Sequence, residues 1–438
     1  MTKKFFASIG LAVAGAATVH AAYSPDSSDN SKIWAVSGTL RGFYDDNYLT
    51  APKKVGSYGF EVSPSFTLNA PLEQTEIGVR YVYGLYYYQK REELGQNPID
   101  QSHEFDLWVD HAFTPRWETR FEDTVTVSQE PGLGLPVGQP TAIDNRIEGN
   151  NLVNGANISL TTDWTEEFST KLSYGNTFYS YDNSGAVVSP GAPFPPTSVA
   201  ASLSGLLDRD ENLASINFQW TLSQETMAWV GYQYGQVIYL SSEPIAVNTA
   251  TTPNSLFTAS SRDNRSHYGY VGVSHNFLDN LTGSFQAGIQ YTTYYDDTTA
   301  SSSLGPYGNA SLVYTYAAGS YAEVGLTETR NATDVASVGN NGLTEDQEST
   351  VVYGSINHPL TPKLIGTLTG NYQYSIYHGG PFQDQAAELV DLGVNLTYTF
   401  TPHLSAEAGY NFDWYKTEAA LVQDYNRNRV YLGVTATY

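Results

Sequence analysis

The chain contains no cysteine. That absence excludes disulfides, thiolate metal centres and a lipid-anchored cysteine. Positive charge is scarce too: 21 Lys and Arg stand against 45 Asp and Glu, a net charge of −24. Nucleic acid demands a basic footprint, so this balance excludes it as a partner. Beyond the N-terminal leader no apolar run reaches the ~20 residues of a helical span, which excludes a helical membrane protein. No HExxH pair and no nucleophile-elbow serine motif occurs. The histidines beyond the leader (His103, His111, His267, His275, His358, His378 and His403) are scattered, so the sequence argues against an enzyme and implies no cofactor and no metal.

What the chain does have is alternation. In Leu389–Trp414, every second residue is apolar on both sides of Thr401-Pro402-His403. Backward these are Phe400, Tyr398, Leu396, Val394, Leu392 and Val390; forward they are Leu404, Ala406, Ala408, Tyr410, Phe412 and Trp414. The residues between are small or polar. A strand sends successive side chains to opposite faces, so this is a hairpin with one apolar and one wet face. Each arm has about ten alternating residues, the length a tilted strand needs to cross a bilayer.

The first residues, MTKKFFASIGLAVAGAATVHAA, combine a basic start, a short apolar core and a small-residue cleavage pattern. This reads as a signal peptide over residues 1–21, followed by a short periplasmic leader over 22–32. Residues 33–438 read as a single β-barrel domain. Its segments alternate short connections with long polar ones, such as Gln129–Glu148, Asp182–Glu211 and Leu240–Asn264. Tight periplasmic turns and longer outer loops have this pattern. The short turns FTPRW, FLDNL, LTPKL and FTPHL share a frame of three turn residues between apolar ends, which keeps both ends on one face. The expected fold is all-β: an antiparallel up-and-down transmembrane barrel of about 18 strands (16–18).

Two further features favour a membrane over a soluble sandwich. The segments run well past the usual ~5–6 residues of a strand. Aromatics cluster near segment ends, at Tyr86–Tyr88, Phe178-Tyr179, Tyr294-Tyr295 and Trp414-Tyr415, where membrane girdles sit. The 34 Tyr fit both a strand and a water–lipid boundary. His111, His275 and His358 fall close to expected periplasmic turns on the lipid side, as interfacial anchors.

If the apolar set faces lipid, the alternate set lines a lumen. It includes Arg41, Arg80, Glu104, Asp106, Asp110, Glu118, Arg120, Glu122, Glu407 and Arg429, together with Lys171, Glu61, Glu76 and Glu323. The turn at Thr114-Pro115-Arg116 sets Phe113 opposite Trp117 and hence Asp110 opposite Arg120, a cross-strand ion pair. Acids outnumber bases, so a pore lined this way prefers cations. Asp391 and Asp413 face each other near the outer rim as a candidate cation site. Asp123 takes lipid parity, and a bulge or shifted register is the expected remedy. Tyr86, Tyr88, Tyr179, Tyr181, Tyr268, Tyr270 and Trp229 take lumen parity, where flat rings could stack on saccharides.

The last segment, VYLGVTATY, alternates Val430, Leu432, Val434, Ala436 and Tyr438 up to a terminal aromatic. It resembles the C-terminal assembly signal of bacterial outer-membrane β-barrels, with Tyr438 where Phe is usual. Together with the leader and the repeated turns, the chain resembles outer-membrane β-barrel porins, including barrels that accompany exopolysaccharide loci. The resemblance implies a bacterial outer-membrane channel for passive diffusion of small hydrophilic solutes. Its implied partners are the lipid bilayer and lipopolysaccharide, the barrel-assembly machinery, and a second copy in a homo-oligomer. The alternative expectation is a structural or adhesive barrel with a closed lumen, linked to exopolysaccharide export.

Overall fold

The structure, a computed structural model, describes residues 33–128, 151–190, 196–248, 255–294, 302–339, 342–419 and 424–438. The leader over 1–32 and the loop Gln129–Glu148 lie outside the described residues.

Eighteen strands make one antiparallel sheet. In chain order they are β1 (Trp34–Asp45), β2 (Ser57–Pro71), β3 (Thr75–Tyr88), β4 (Ile99–Thr114), β5 (Trp117–Ser128) and β6 (Asn151–Asp163). Then come β7 (Phe168–Tyr181), β8 (Arg209–Thr221), β9 (Thr226–Tyr239), β10 (Asn264–Leu278), β11 (Leu281–Tyr294) and β12 (Ser302–Ala317). The last six are β13 (Ser320–Asn331), β14 (Asp346–Thr361), β15 (Leu364–His378), β16 (Ala386–Thr401), β17 (Leu404–Thr417) and β18 (Tyr425–Thr437). Each strand pairs with its sequence neighbours, and β1 also pairs with β18, so the sheet closes into a barrel with no edge. At the seam the Tyr438 N–H donates to Val36 O at 2.8 Å, and Val36 N–H donates back to Tyr438 O at 3.1 Å.

The burial pattern is inverted relative to a water-soluble protein. On β16 the apolar Leu392, Val394, Leu396, Tyr398 and Phe400 are exposed. The polar members of the other parity, Glu407, Asp413, Arg427 and Arg429 among them, are buried. A large exposed apolar band does not persist in water, whereas a lipid belt covers it at no such cost. Trp34, Phe113, Trp117, Trp164, Trp220, Phe277, Phe400 and Tyr438 are exposed at the turn end of the strands and form an aromatic girdle there. At the loop end the expected clusters split by parity. Tyr88, Tyr294 and Tyr415 are buried inside rather than set in a girdle.

The short turns are tighter than the sequence frame suggests. Thr114 pairs with Trp117, Thr361 with Leu364 and Thr401 with Leu404, each beside a one-residue register shift. The turn proper has two residues, and the third is taken up as a bulge, so Phe113 has no direct partner opposite Trp117. Threonine holds these turns: Thr114, Thr361 and Thr401 Oγ1 accept from the backbone N–H two residues on, at 3.2, 3.3 and 3.2 Å. Proline follows and presets the backbone.

Asp123 corrects another expectation. Pairing through β4, β5 and β6 is regular around it, with Leu107 and Ala156 as its partners, so no bulge turns it inward. It faces lipid and accepts a hydrogen bond from Asn154 Nδ2 at 2.6 Å.

At the outer end the loops pack on one another. Tyr181, Leu203, Leu206, Tyr239, Ile245, Phe257 and Leu343 share one buried apolar cluster. These residues come from the connections β7–β8, β9–β10 and β13–β14, with Tyr181 and Tyr239 at the adjoining strand ends. Val335 of the third connection joins a second cluster with Tyr377, Phe382, Leu389 and Tyr415. Strands β8 and β13 are five spacings apart in the sheet, ~24 Å along the wall. Their loops meet, so the described parts of these loops lean over the mouth.

Candidate functional site

The lumen wall is built by strand parity. Inward residues of β1, β2, β17 and β18 carry the first cluster of charges. Arg41 on β1 stands in register with Glu61 on β2 and Gly433 on β18. Its Nη1 donates to Glu61 Oε2 at 2.8 Å, and its Nε donates to Glu407 Oε1 at 2.7 Å. Glu407 belongs to β17, one strand beyond β18. The reach is open because Gly433 lies between: a Cβ there would sit 2.9 Å from both Arg41 Cγ and Glu407 Oε1. Arg429 lies 4.0 Å from Glu61 and 4.1 Å over the Phe43 ring. Both acids are thus matched by guanidinium groups.

A second cluster lies on β3–β5. Arg80 bonds Glu104 and, through Nε at 2.8 Å, Asp106, which also accepts from Thr124 Oγ1 at 2.9 Å. Asp110 stands opposite Arg120, with Nη1 to Oδ2 at 3.6 Å, while Arg120 Nε donates more closely to Glu122 at 2.7 Å. Glu76 is in register with Asp110, and Glu118 lies two residues from Arg120. Here the side chains are open to solvent: Arg120 is 52% and Glu122 48% exposed, against 2% for Glu407. Four acids around Arg120, with Lys171 beside Glu118 and Glu122, still leave an acidic surplus facing water, whereas the first cluster is neutralised and packed. Lys171 and Glu323 take the same inward parity on β7 and β13.

Asp391 and Asp413 stand opposite each other in the β16–β17 pairing. Among the described residues no group of three or more His, Asp or Glu side chains is placed to hold a metal ion. Tyr88, Tyr181, Trp229, Tyr268 and Tyr270 are buried. Trp229 lies over Gly272 on the next strand and donates Nε1–H to Gln286 at 3.0 Å, and Tyr268 meets Tyr307 edge-on at 4.8 Å. The same ring-on-glycine pairing recurs at Trp108–Gly78 and Tyr431–Gly409. These rings fill the wall.

The sequence reading missed the outer-end arginines. Arg91 pairs with Asp100 at 2.5 Å, Arg427 pairs with Asp45, and Arg330 gathers Asp346, Glu348 and His378. Arg262 is buried, donates to Thr333 O at 2.9 Å and to Leu206 O, and lies over the Tyr239 ring. It ties three loops together. Glu243 does the same for two, accepting from Gly185 N–H at 2.7 Å, Ala186 N–H at 3.1 Å and Ser202. Its carboxyl is held below the usual range, chiefly by the Ser202 hydroxyl. Apart from Arg91 and Asp100, nine residues apart, these partners are remote in sequence, so no local signal points to them.

With the closed sheet, the lipid-facing band and the charged interior in place, comparison with known proteins is informative. Residues 243–438 match the family described as Putative beta-barrel porin 2, a stretch that holds strands β10–β18. The chain is a closed 18-stranded β-barrel, porin-like over the stretch that the family covers. No curated protein matches its sequence. Similar solved structures include the outer membrane protein OpdK of Pseudomonas aeruginosa, at 12% identity and TM-score 0.43, covering 92% of this chain and 99% of that one. OccAB4 of Acinetobacter baumannii gives 12% identity and TM-score 0.42, covering 93% and 99%.

Proposed function

We propose that this barrel is a channel for passive diffusion of small hydrophilic solutes across the bacterial outer membrane, with a modest preference for cations. The observation that carries the reading is the β3–β5 wall. There Glu76, Asp110, Glu118 and Glu122 surround Arg120, and Glu122 is 48% exposed to the aqueous interior. Fixed acids beside water raise the local cation concentration. The fold and the family point to transport rather than catalysis. On this reading the leader is cleaved after Ala21, and the assembly machinery recognises the terminal strand ending in Tyr438. The outward band meets lipid and lipopolysaccharide. Liposomes carrying the purified barrel test this: swelling in small sugars and amino acids, falling with solute size, supports diffusion. No swelling at any size overturns it.

A second reading has one observation in its favour. The apolar-cored loops over β7–β16 make a roof at the outer mouth. If that roof seals the bore, the barrel is structural, and the same liposomes stay tight.

A further inference from the structure

The outward faces of the barrel are not alike. At mid-height the lipid side of β14–β18 shows Val352, Ile356, Leu392, Val394, Val430 and Leu432, all apolar and exposed, and its polar groups Glu388 and Asn428 lie toward the outer strand ends, bonded by the Tyr372 and Tyr410 hydroxyls. On β5–β8 the same side carries Asp123, Asn154, Asn176, Asp210 and Asn212, in parity with the exposed Ile158, Leu172, Tyr174 and Phe218. These groups bond among themselves. Asn154 Nδ2 donates to Asp123 Oδ1 at 2.6 Å, Asn176 Nδ2 to Asp210 Oδ1 at 2.6 Å, and Tyr174 OH to Asn212 Oδ1 at 2.5 Å.

Asp210 and Asn212 lie at the outer ends of their strands, where headgroups and water reach them. Asp123 does not. It lies six residues above Trp117 of the girdle, ~20 Å along a strand. Allowing for tilt, that is ~15 Å of height, near the middle of a ~25 Å apolar band. Acyl chains offer a carboxylate no donor, and polar groups at this depth are costly unless protein covers them. The Asn154 amide has two protons; one serves Asp123, and the other has the long 3.3 Å contact to Thr124 O.

We infer that the outward face of β5–β8 is a contact surface for a second copy of this chain. A side-by-side amide and carboxylate is self-complementary. Across a two-fold axis, Asn154 of each copy offers its second proton to the other copy's Asp123, closing a four-group ring. Ala156, opposite both Asp123 and Asn176 in register, is the small residue that lets the two walls approach.

The cysteine-free chain makes the test clean. Ala156→Cys, oxidised in isolated outer membranes, forms a disulfide-linked band of twice the chain mass. Ala408→Cys, on the apolar side of β17, stays single. Adding Asp123→Leu and Asn154→Leu to Ala156→Cys lowers the cross-linked fraction about tenfold, the factor for ~1.4 kcal/mol. Heat-modifiable gel mobility shows that each barrel is folded. If Ala156→Cys gives no more double band than Ala408→Cys, or its cross-linked partner is a different protein, the inference is overturned.

Discussion

Arg41 Nε donates to Glu407 Oε1 at 2.7 Å across an intervening strand, over the one position, Gly433, that carries no side chain. The contact neutralises a glutamate that strand parity alone counts as part of an acidic pore. Gly433→Val puts branched carbons where the pair meets. We expect a loss of ~1.5–3 kcal/mol, the range for a charge-assisted hydrogen bond, read as a lower urea midpoint for unfolding from vesicles. Gly433→Val together with Glu407→Gln should lose less than the sum, because the second change removes the stranded charge.

The open acids on β4–β5 should set ion preference. In a water-filled bore one charge at ~10 Å is worth ~0.4 kcal/mol, about a twofold change in local cation concentration. Glu118→Gln with Glu122→Gln should therefore move the reversal potential in a salt gradient toward zero. Arg41→Gln with Glu61→Gln should move it little, since the two charges already offset each other and their joint removal leaves the net charge unchanged. An equal shift from both variants would show that matched and unmatched acids act alike.

Much of the architecture is legible in the sequence because alternation is a backbone property. Eighteen segments, their facing and the Asp110–Arg120 register follow from counting by twos. The Thr-Pro turns show the limit. Their frame is visible, but the bulge that absorbs one residue depends on Thr Oγ1 reaching a backbone N–H. Strand pairing beyond the nearest neighbour is invisible for the same reason that Arg41 and Glu407, remote in the chain, cannot be matched by eye. The rings over glycine were present as inward Gly and inward aromatics, but only register brings Trp229 onto Gly272. Loop contacts such as Arg262 to Thr333 follow no periodicity at all.

Those turns make a prediction of their own. Thr401→Val keeps the branched shape and removes the acceptor for the His403 N–H. The expected cost is ~0.5–1.5 kcal/mol, measurable as a slower folding rate into lipid vesicles. Unchanged folding would assign the turn to proline alone.

The roof should respond to two single changes. Arg262→Ala strands the carbonyls of Leu206 and Thr333, at ~1–3 kcal/mol each where they stay buried. Amide exchange in residues 203–207 and 332–336 should accelerate while the β16–β17 amides stay protected. Glu243 adds a pH dependence. Its folded-state carboxyl sits below the usual range, so its contribution is present above the ordinary glutamate range and is lost as pH falls through the lowered value. With the intrinsic pH dependence of exchange divided out, protection of residues 185–186 and 202–205 should fall on acidification in the natural chain. In Glu243→Gln the same amides should be weakly protected at every pH.

The most direct test of the account is electrical. Purified barrel in a planar lipid bilayer should give stable ohmic steps, with a reversal potential under a KCl gradient whose sign marks K+ as the more permeant ion. A folded, heat-modifiable barrel that inserts yet passes no current, or that favours chloride, would contradict it.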